Sequence, residues 1–106
     1  MPKFYVKWWL SPEMTATIHT LEERVKLWLS MLEMIEADIR AGVLKDWGAC
    51  ADLSGGYGIV EVASEADLYT FLLKWIPYVN FDARPVITAR QTIESLKKAA
   101  AAAKAK

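Results

Sequence analysis

One stretch of the sequence decides the fold: residues 20–42 read TLEERVKLWLSMLEMIEADIRAG. Its apolar side chains recur every three or four residues, which places them along one face of an α-helix. They are Leu21, Val25, Trp28, Leu32, Ile35 and Ile39. Thr20 and Glu23 have the spacing of a capping box, and Gly42 is typical of the position that follows a helix C-terminus. The stretch therefore predicts an amphipathic helix over Thr20–Ala41, roughly 33 Å long at a rise of about 1.5 Å per residue.

Strand signals lie on both sides of this helix. Residues 3–10 are rich in aromatic and β-branched side chains and end at Ser11-Pro12, where the proline cannot donate to a ladder. Val43–Leu53 indicates a weaker strand, and a glycine-rich turn separates it from the strand formers of Tyr57–Val62. We expect these last two strands to form a hairpin.

A second helix and a closing strand complete the pattern. Ser64 and Asp67 mark the start of a helix that Pro77 stops, and Val79–Ile87 follows as a strand. Pro85 marks that strand as an edge strand or places a bulge in it. The order strand, helix, strand, strand, helix, strand predicts an α+β, ferredoxin-like fold, in which two helices cover one face of a four-stranded antiparallel sheet.

Composition bounds the classes of function. The chain has 106 residues, 54% of them hydrophobic, which suits one domain with a single core. Thirteen basic and thirteen acidic residues cancel, so a dedicated nucleic-acid binder is not expected. With one cysteine and one histidine, no internal disulfide can form and we expect no metal and no cofactor. No segment has the roughly 18 uncharged apolar residues of a membrane span, so we expect a cytoplasmic protein.

The second half of the chain carries a resemblance to a known superfamily. Residues 42–86 read GVLKDWGACADLSGGYGIVEVASEADLYTFLLKWIPYVNFDARPV. The glycine after the long helix, the hairpin, the capped helix start at Ser64 and the segment Ile76–Phe81 resemble the dimeric α/β-barrel superfamily. Within it, the sequence resembles especially the muconolactone-isomerase-like proteins and small uncharacterised relatives. With the first strand and helix, the resemblance covers roughly residues 3–88.

This resemblance implies an assembly and a kind of pocket. In the superfamily, two sheets pack face to face across a dimer axis and enclose a lumen that serves isomerases, cofactor-free monooxygenases and haem enzymes. It implies a homodimer that binds a small organic ligand in the barrel lumen. His19 precedes the long helix, so the sequence carries no haem-ligand pattern. Whether the chain is an enzyme stays open at this point.

Strand alternation selects the side chains that would face the lumen. If Val60 and Val79 face the helices, the alternate positions of their strands face the opposite side of the sheet. The same rule applied to the first strand completes the candidate ligand-binding set: Tyr5, Lys7, Trp9, Tyr57, Glu61, Asn80, Asp82 and Arg84. Asp46, Cys50 and Asp52 are assigned to the same face from the weaker second strand.

Each candidate also has a purely structural interpretation. The mixed face is either the lumen of a dimer or the solvated face of an ordinary antiparallel sheet. Asp82 and Arg84 either orient an anionic ligand, to which Arg84 offers a planar fork, or form cross-strand ion pairs with Lys7 or Glu61. His19 is expected to be exposed, and Cys50 is expected to be a small buried packing residue.

Composition divides the chain into residues 1–88, the α/β-barrel domain, and residues 89–106, an Ala/Lys-rich helical tail. A thin apolar stripe runs along the tail: Ile93, Leu96, Ala100 and Ala103. The tail docks on a partner subunit, contacts nucleic acid or an acidic surface through its lysines, or is a solvated appendage. Four lysines are weak evidence for nucleic acid, which favours docking on a partner subunit or a solvated appendage.

Two functional hypotheses follow from different classes. The first is a dimeric small-molecule-binding protein of isomerase or monooxygenase type. The second is a non-catalytic assembly module in which the open sheet face only makes the dimer. A cavity with convergent polar groups would favour the first hypothesis, and a lumen filled by side chains would favour the second.

Overall fold

A computed structural model of the chain describes residues 1–105. Within these residues, four strands and four helices follow one another: β1 (Lys3–Leu10), α1 (Pro12–Thr15), α2 (Leu21–Arg40), β2 (Leu44–Ala49), β3 (Gly56–Glu61), α3 (Glu65–Leu73), β4 (Val79–Val86) and α4 (Ala89–Lys104). The prediction of an α+β chain with a four-stranded antiparallel sheet is confirmed.

The long helices begin where the sequence places their caps. The Thr20 side chain accepts a hydrogen bond from the backbone N–H of Glu23 at 3.1 Å, and α2 starts at the next residue. The Ser64 side chain accepts from the backbone N–H of Asp67 in the same way and opens α3. Gly42 follows the C-terminus of α2 with φ of +80°, a left-handed conformation that favours glycine. Local capping chemistry thus sets both ends of α2.

The sheet has the strand order β2-β3-β1-β4, and each neighbouring pair is antiparallel. β4 lies at an edge, as Pro85 predicted. The core forms on one face of the sheet, where partly buried side chains of α2 and α3 pack against it. Its buried members are Phe4, Val6, Leu44, Val60 and Leu68.

β2 is shorter than predicted, covering Leu44–Ala49 where the sequence suggested Val43–Leu53. Beyond it, the Asp52 carboxylate accepts hydrogen bonds from both the backbone N–H and the hydroxyl of Ser54, at 3.0 and 2.6 Å. Such local bonds compete with ladder pairing and turn the chain. The assignment of Cys50 and Asp52 to a strand face was therefore wrong. Cys50 is also exposed, which corrects the expectation that it is buried.

The glycine-rich segment before β3 also differs from its prediction. The sequence suggested a turn that ends where a strand begins at Tyr57, but β3 already starts at Gly56 and also contains Gly58. A side-chain carbon on Gly56 would collide with the Trp8 indole and the backbone oxygen of Gly48. Because Gly56 and Gly58 have no side chains, the helix-facing side of β3 leaves space for neighbouring side chains at these two positions.

α4 projects from one end of the sheet. Two residues separate it from β4, and every residue from 82 to 105 is exposed. The molecule measures 65 × 26 × 24 Å, so the helix gives it a strongly elongated shape.

None of the helices described in residues 1–105 is long and apolar enough to span a membrane.

Candidate functional site

A cavity of about 220 Å³ lies between the sheet and the helices α2 and α3. Aliphatic residues of the strands and helices supply part of its wall. Six aromatic side chains supply most of the rest: Trp8, Trp28, Trp47, Phe71, Trp75 and Phe81. Four of the five tryptophans of the chain therefore line one cavity.

Sheet geometry brings two of these indoles together. Trp8 of β1 and Trp47 of β2 stack with ring centroids 5.4 Å apart and planes inclined by 9°. β3 lies between these two strands, and its Gly56 and Gly58 are the residues opposite Trp8 and Trp47. Because neither glycine has a side chain, the indoles meet over β3. On the other side of β1, Phe81 of β4 lies opposite Trp8.

The polar groups of the cavity are few. The Trp8 indole N–H donates to the backbone carbonyl of Tyr57 at 3.3 Å, so this polar group is already engaged. Cys50 and Leu53 line the cavity beside the turn after β2, and both are exposed, Leu53 to 84%. The cavity therefore opens to solvent next to this turn, with the Cys50 thiol at its mouth.

An ion pair joins the two helices that cover the cavity. The Lys74 ammonium, just after α3, donates to the Asp38 carboxylate of α2 at 2.6 Å. The same nitrogen lies 4.4 Å from the ring centroid of Phe71 and 5.3 Å from that of Trp75. A cation over an aromatic face is attracted by the ring quadrupole. The interaction links α2 to the end of α3 above the sheet.

The eight side chains predicted as ligand-binding lie together on the opposite face of the sheet, called here the open face. Strand pairing places Tyr5 beside Arg84, Lys7 between Tyr57 and Asp82, and Trp9 opposite Asn80; Glu61 lies opposite Lys3. The strand alternation used to select them is thus correct. None of the eight lines the cavity, which is on the helix side.

Specific contacts organise the open face. The Tyr57 hydroxyl donates to the Asp46 carboxylate at 2.8 Å, and the Tyr57 ring stacks on Tyr5 with centroids 6.5 Å apart. The hydrogen bond to Asp46, and secondarily burial, raises the pKa of Tyr57 above its ordinary range. The Arg84 guanidinium lies 3.6 Å from the Asp82 carboxylate, so these two residues pair with each other along their own strand rather than across it with Glu61 and Lys7.

Comparison with known families identifies the domain. Residues 2–100 match the model of a family described as a domain of unknown function, DUF3303. The chain belongs to this family. A search of curated proteins found no match. The DUF3303 match extends past β4 and through most of α4, so it includes the projecting helix.

The aromatic cavity of this DUF3303 domain was missed by the sequence reasoning, although one signal was present. Trp8 directly follows Lys7, which faces the open side, so strand alternation places Trp8 on the helix-facing side of β1. Trp47 lies on the same side of the sheet in β2. Glycines at alternate positions of β3 leave room on that side. His19 lies in the connection before α2, is exposed as expected, and does not line the cavity.

Proposed function

We propose that this DUF3303 protein binds a small, neutral, apolar organic molecule in the cavity between the sheet and the helices α2 and α3. The observation that carries the proposal is the set of six aromatic side chains around about 220 Å³ of space. Protein interiors are normally packed with few voids larger than a water molecule. This cavity opens to solvent on one side, and an apolar guest that enters it removes both its own surface and the aromatic wall from water.

The chemistry of the wall selects the class of ligand. No residue that lines the cavity is charged within the described part of the chain. A charged ligand would lose its hydration there without gaining a partner, which is costly. Indole and phenyl faces favour flat aromatic or branched aliphatic guests. The volume suits a substituted benzene or a bicyclic molecule.

We further propose a homodimer that forms through the open face. The strand order β2-β3-β1-β4, with α2 and α3 on one side, supports a ferredoxin-like assignment. Tyr5 is 39% exposed on this face, beside the half-buried Ile59 and Trp9. Apolar and aromatic groups on the free side of a sheet support its burial against a second sheet, as in a dimeric α/β barrel.

A second candidate places an anionic ligand in the lumen of that dimer. The Tyr57–Asp46 hydrogen bond sets a phenol against a carboxylate, and Lys7 lies opposite Tyr57 on the neighbouring strand. Such a pair suits proton transfer to an enolisable acid, with Arg84 as the anion-binding group. This candidate includes the isomerase and monooxygenase hypotheses. The assembly-module hypothesis keeps the same dimer without a ligand.

Matched neutral and anionic probes distinguish these candidates. Naphthalene should raise the melting temperature of the protein in a concentration-dependent way, whereas naphthoate should not. Ala49→Phe fills the cavity from its wall and should abolish the shift, and Ala63→Phe, an exposed site outside the cavity, should retain it. A shift with naphthoate that Arg84→Ala removes would favour the lumen. Absence of any shift would favour the assembly module.

A further inference from the structure

The helix α4 is preformed but almost without neighbours. The Thr88 side chain accepts from the backbone N–H of Gln91, and the Gln91 side chain accepts from the backbone N–H of Thr88, which completes a capping box. Only Ile87 and Thr88 separate the helix from β4. All of its described residues are exposed. We therefore expect the exposed apolar stripe of this capped helix to be buried by a binding partner.

The stripe and the charges of α4 have a regular arrangement. The apolar positions follow spacings of three and four residues, the pattern of a helix that packs against another helix. They are Ile93, Leu96, Ala100 and Ala103. Arg90, Lys97 and Lys104 recur every seven residues, so they form a basic row along one edge of the stripe. Lys98 lies on the opposite side of the helix.

The two parts of the chain are oppositely charged. Residues 1–88 hold 12 acidic and 8 basic residues, whereas residues 89–106 hold one acidic and five basic residues. The net charge of the whole chain is zero only because these two charges cancel. A basic helix beside an acidic body is electrostatically complementary to a second copy of that body.

The body offers a matching surface on α2. Leu21, Val25 and Leu29 form a row spaced by four residues, and they are 74%, 41% and 56% exposed. Glu22 and Glu33 lie along one side of this row and are exposed, and Lys26 is the one basic residue between them on that side. An apolar row with an acidic edge is the counterpart of the apolar stripe of α4 with its basic edge. Five acidic and three basic residues give α2 a negative net charge.

Geometry and charge exclude the nearer alternatives. The two-residue connection directs α4 away from its own body, which gives the molecule its 65 Å length. Antiparallel pairing of two α4 helices would bring their basic rows together, and like charges in such contacts are destabilising; parallel pairing would leave each basic row without an acidic partner. The α2 surface of a second copy can be reached by the projecting α4, and its acidic edge attracts the basic row of α4.

We propose that α4 docks on the exposed row of α2 in a second copy of this chain, with Arg90, Lys97 and Lys104 facing its acidic edge. The contact is separate from the cavity and from the open face. Its success or failure is therefore independent of ligand binding.

Charge reversal in the full chain tests the contact. Lys97→Glu should weaken self-association by about tenfold in sedimentation velocity. Lys98→Glu is the matched control, because it makes the same change one residue away on the opposite side of the helix and should leave association unchanged. The double variant Glu22→Lys/Glu33→Lys reverses the charge of the α2 edge. By itself, this protein should also self-associate more weakly than wild type.

The mixing experiment decides the matter. When the Lys97→Glu protein and the Glu22→Lys/Glu33→Lys protein are combined, the acidic α4 of one faces the basic α2 of the other, so association should be restored. Equal effects of Lys97→Glu and Lys98→Glu, or no restoration on mixing, would overturn the proposal. If the Lys97→Glu protein associates more strongly with wild type than wild type does with itself, α4 pairs with another α4. If Lys97→Glu leaves self-association unchanged but abolishes binding to a polyanion such as heparin, α4 binds an acidic partner of another kind. Either result overturns it too.

Discussion

Trp8 and Trp47 stack at 5.4 Å although their strands are not neighbours in the sheet. Adjacent strands are about 4.8 Å apart, so residues two strands apart normally have a third side chain between them. Gly56 and Gly58 of the intervening strand remove that side chain. The floor of the cavity is therefore made by two indoles lying over a bare segment of β3. This relationship yields a sharp test of how the site is built.

Gly56→Ala should destabilise the protein by about 3 kcal/mol, because the added carbon would collide with the Trp8 indole and with the backbone oxygen of Gly48. Gly58→Ala is the matched control. Its added carbon would come no closer than 3.2 Å, to the flexible end of Leu44, so we expect a change within about 1 kcal/mol. Urea melts measure both. Equal losses would show that the cost at Gly56 is that of any alanine in this strand and does not come from a collision with Trp8.

Most of the elements could be predicted because their signals are local. The three-and-four spacing of α2, the caps at Thr20 and Ser64, and the alternation in β1 and β4 depend on neighbouring residues alone. Alternation also assigned Tyr5, Lys7 and Arg84 to one face correctly. The end of β2 was mispredicted because the side chain of Asp52 turns the chain by bonding to Ser54.

The cavity could not be predicted because it depends on strand order. Trp8 and Trp47 are 39 residues apart in sequence, and only the placement of β3 between their strands brings them together. Gly56 and Gly58 were interpreted as turn chemistry, and their second role appears only when the register with β1 and β2 is known. Residues that line the cavity are also apolar, so by composition they resemble an ordinary core.

The tryptophans of the cavity should differ in their contribution to stability. Trp75 is only 6% exposed, so Trp75→Ala should cost about 3 to 5 kcal/mol. Trp28 is half-buried and borders empty space, so Trp28→Ala should cost less, about 1 to 2 kcal/mol. Urea melts give both values. A Trp28→Ala loss as large as that of Trp75→Ala would mean that α2 packs closely on the sheet and that the cavity is filled.

The pKa of Tyr57 should lie above the ordinary tyrosine value when the protein is titrated. Its hydroxyl donates to Asp46, which favours the neutral form and raises the pKa of Tyr57 in the folded protein. The stabilising contribution is complete below the ordinary tyrosine pKa of about 10 and is lost as pH rises through the higher folded value. Absorbance titration of the phenolate follows this step. Asp46→Asn should bring the pKa of Tyr57 back toward the ordinary tyrosine value, and an unchanged titration would mean that the hydrogen bond to Asp46 is not formed.

A single charge on the open face should separate the dimer proposed there. Tyr5→Glu places a carboxylate at the centre of this face, where burial against a second sheet would strip its hydration, so in a Lys97→Glu background, which weakens the α4 contact, we expect dissociation to a species of the 11.9 kDa chain mass. Tyr69→Glu is the matched control, because Tyr69 is 69% exposed on α3, away from this face. Sedimentation equilibrium measures both, and circular dichroism checks that each variant is folded. If wild type is already monomeric, or if both variants associate like wild type, the open face is a solvated sheet surface and the lumen candidate is lost with it.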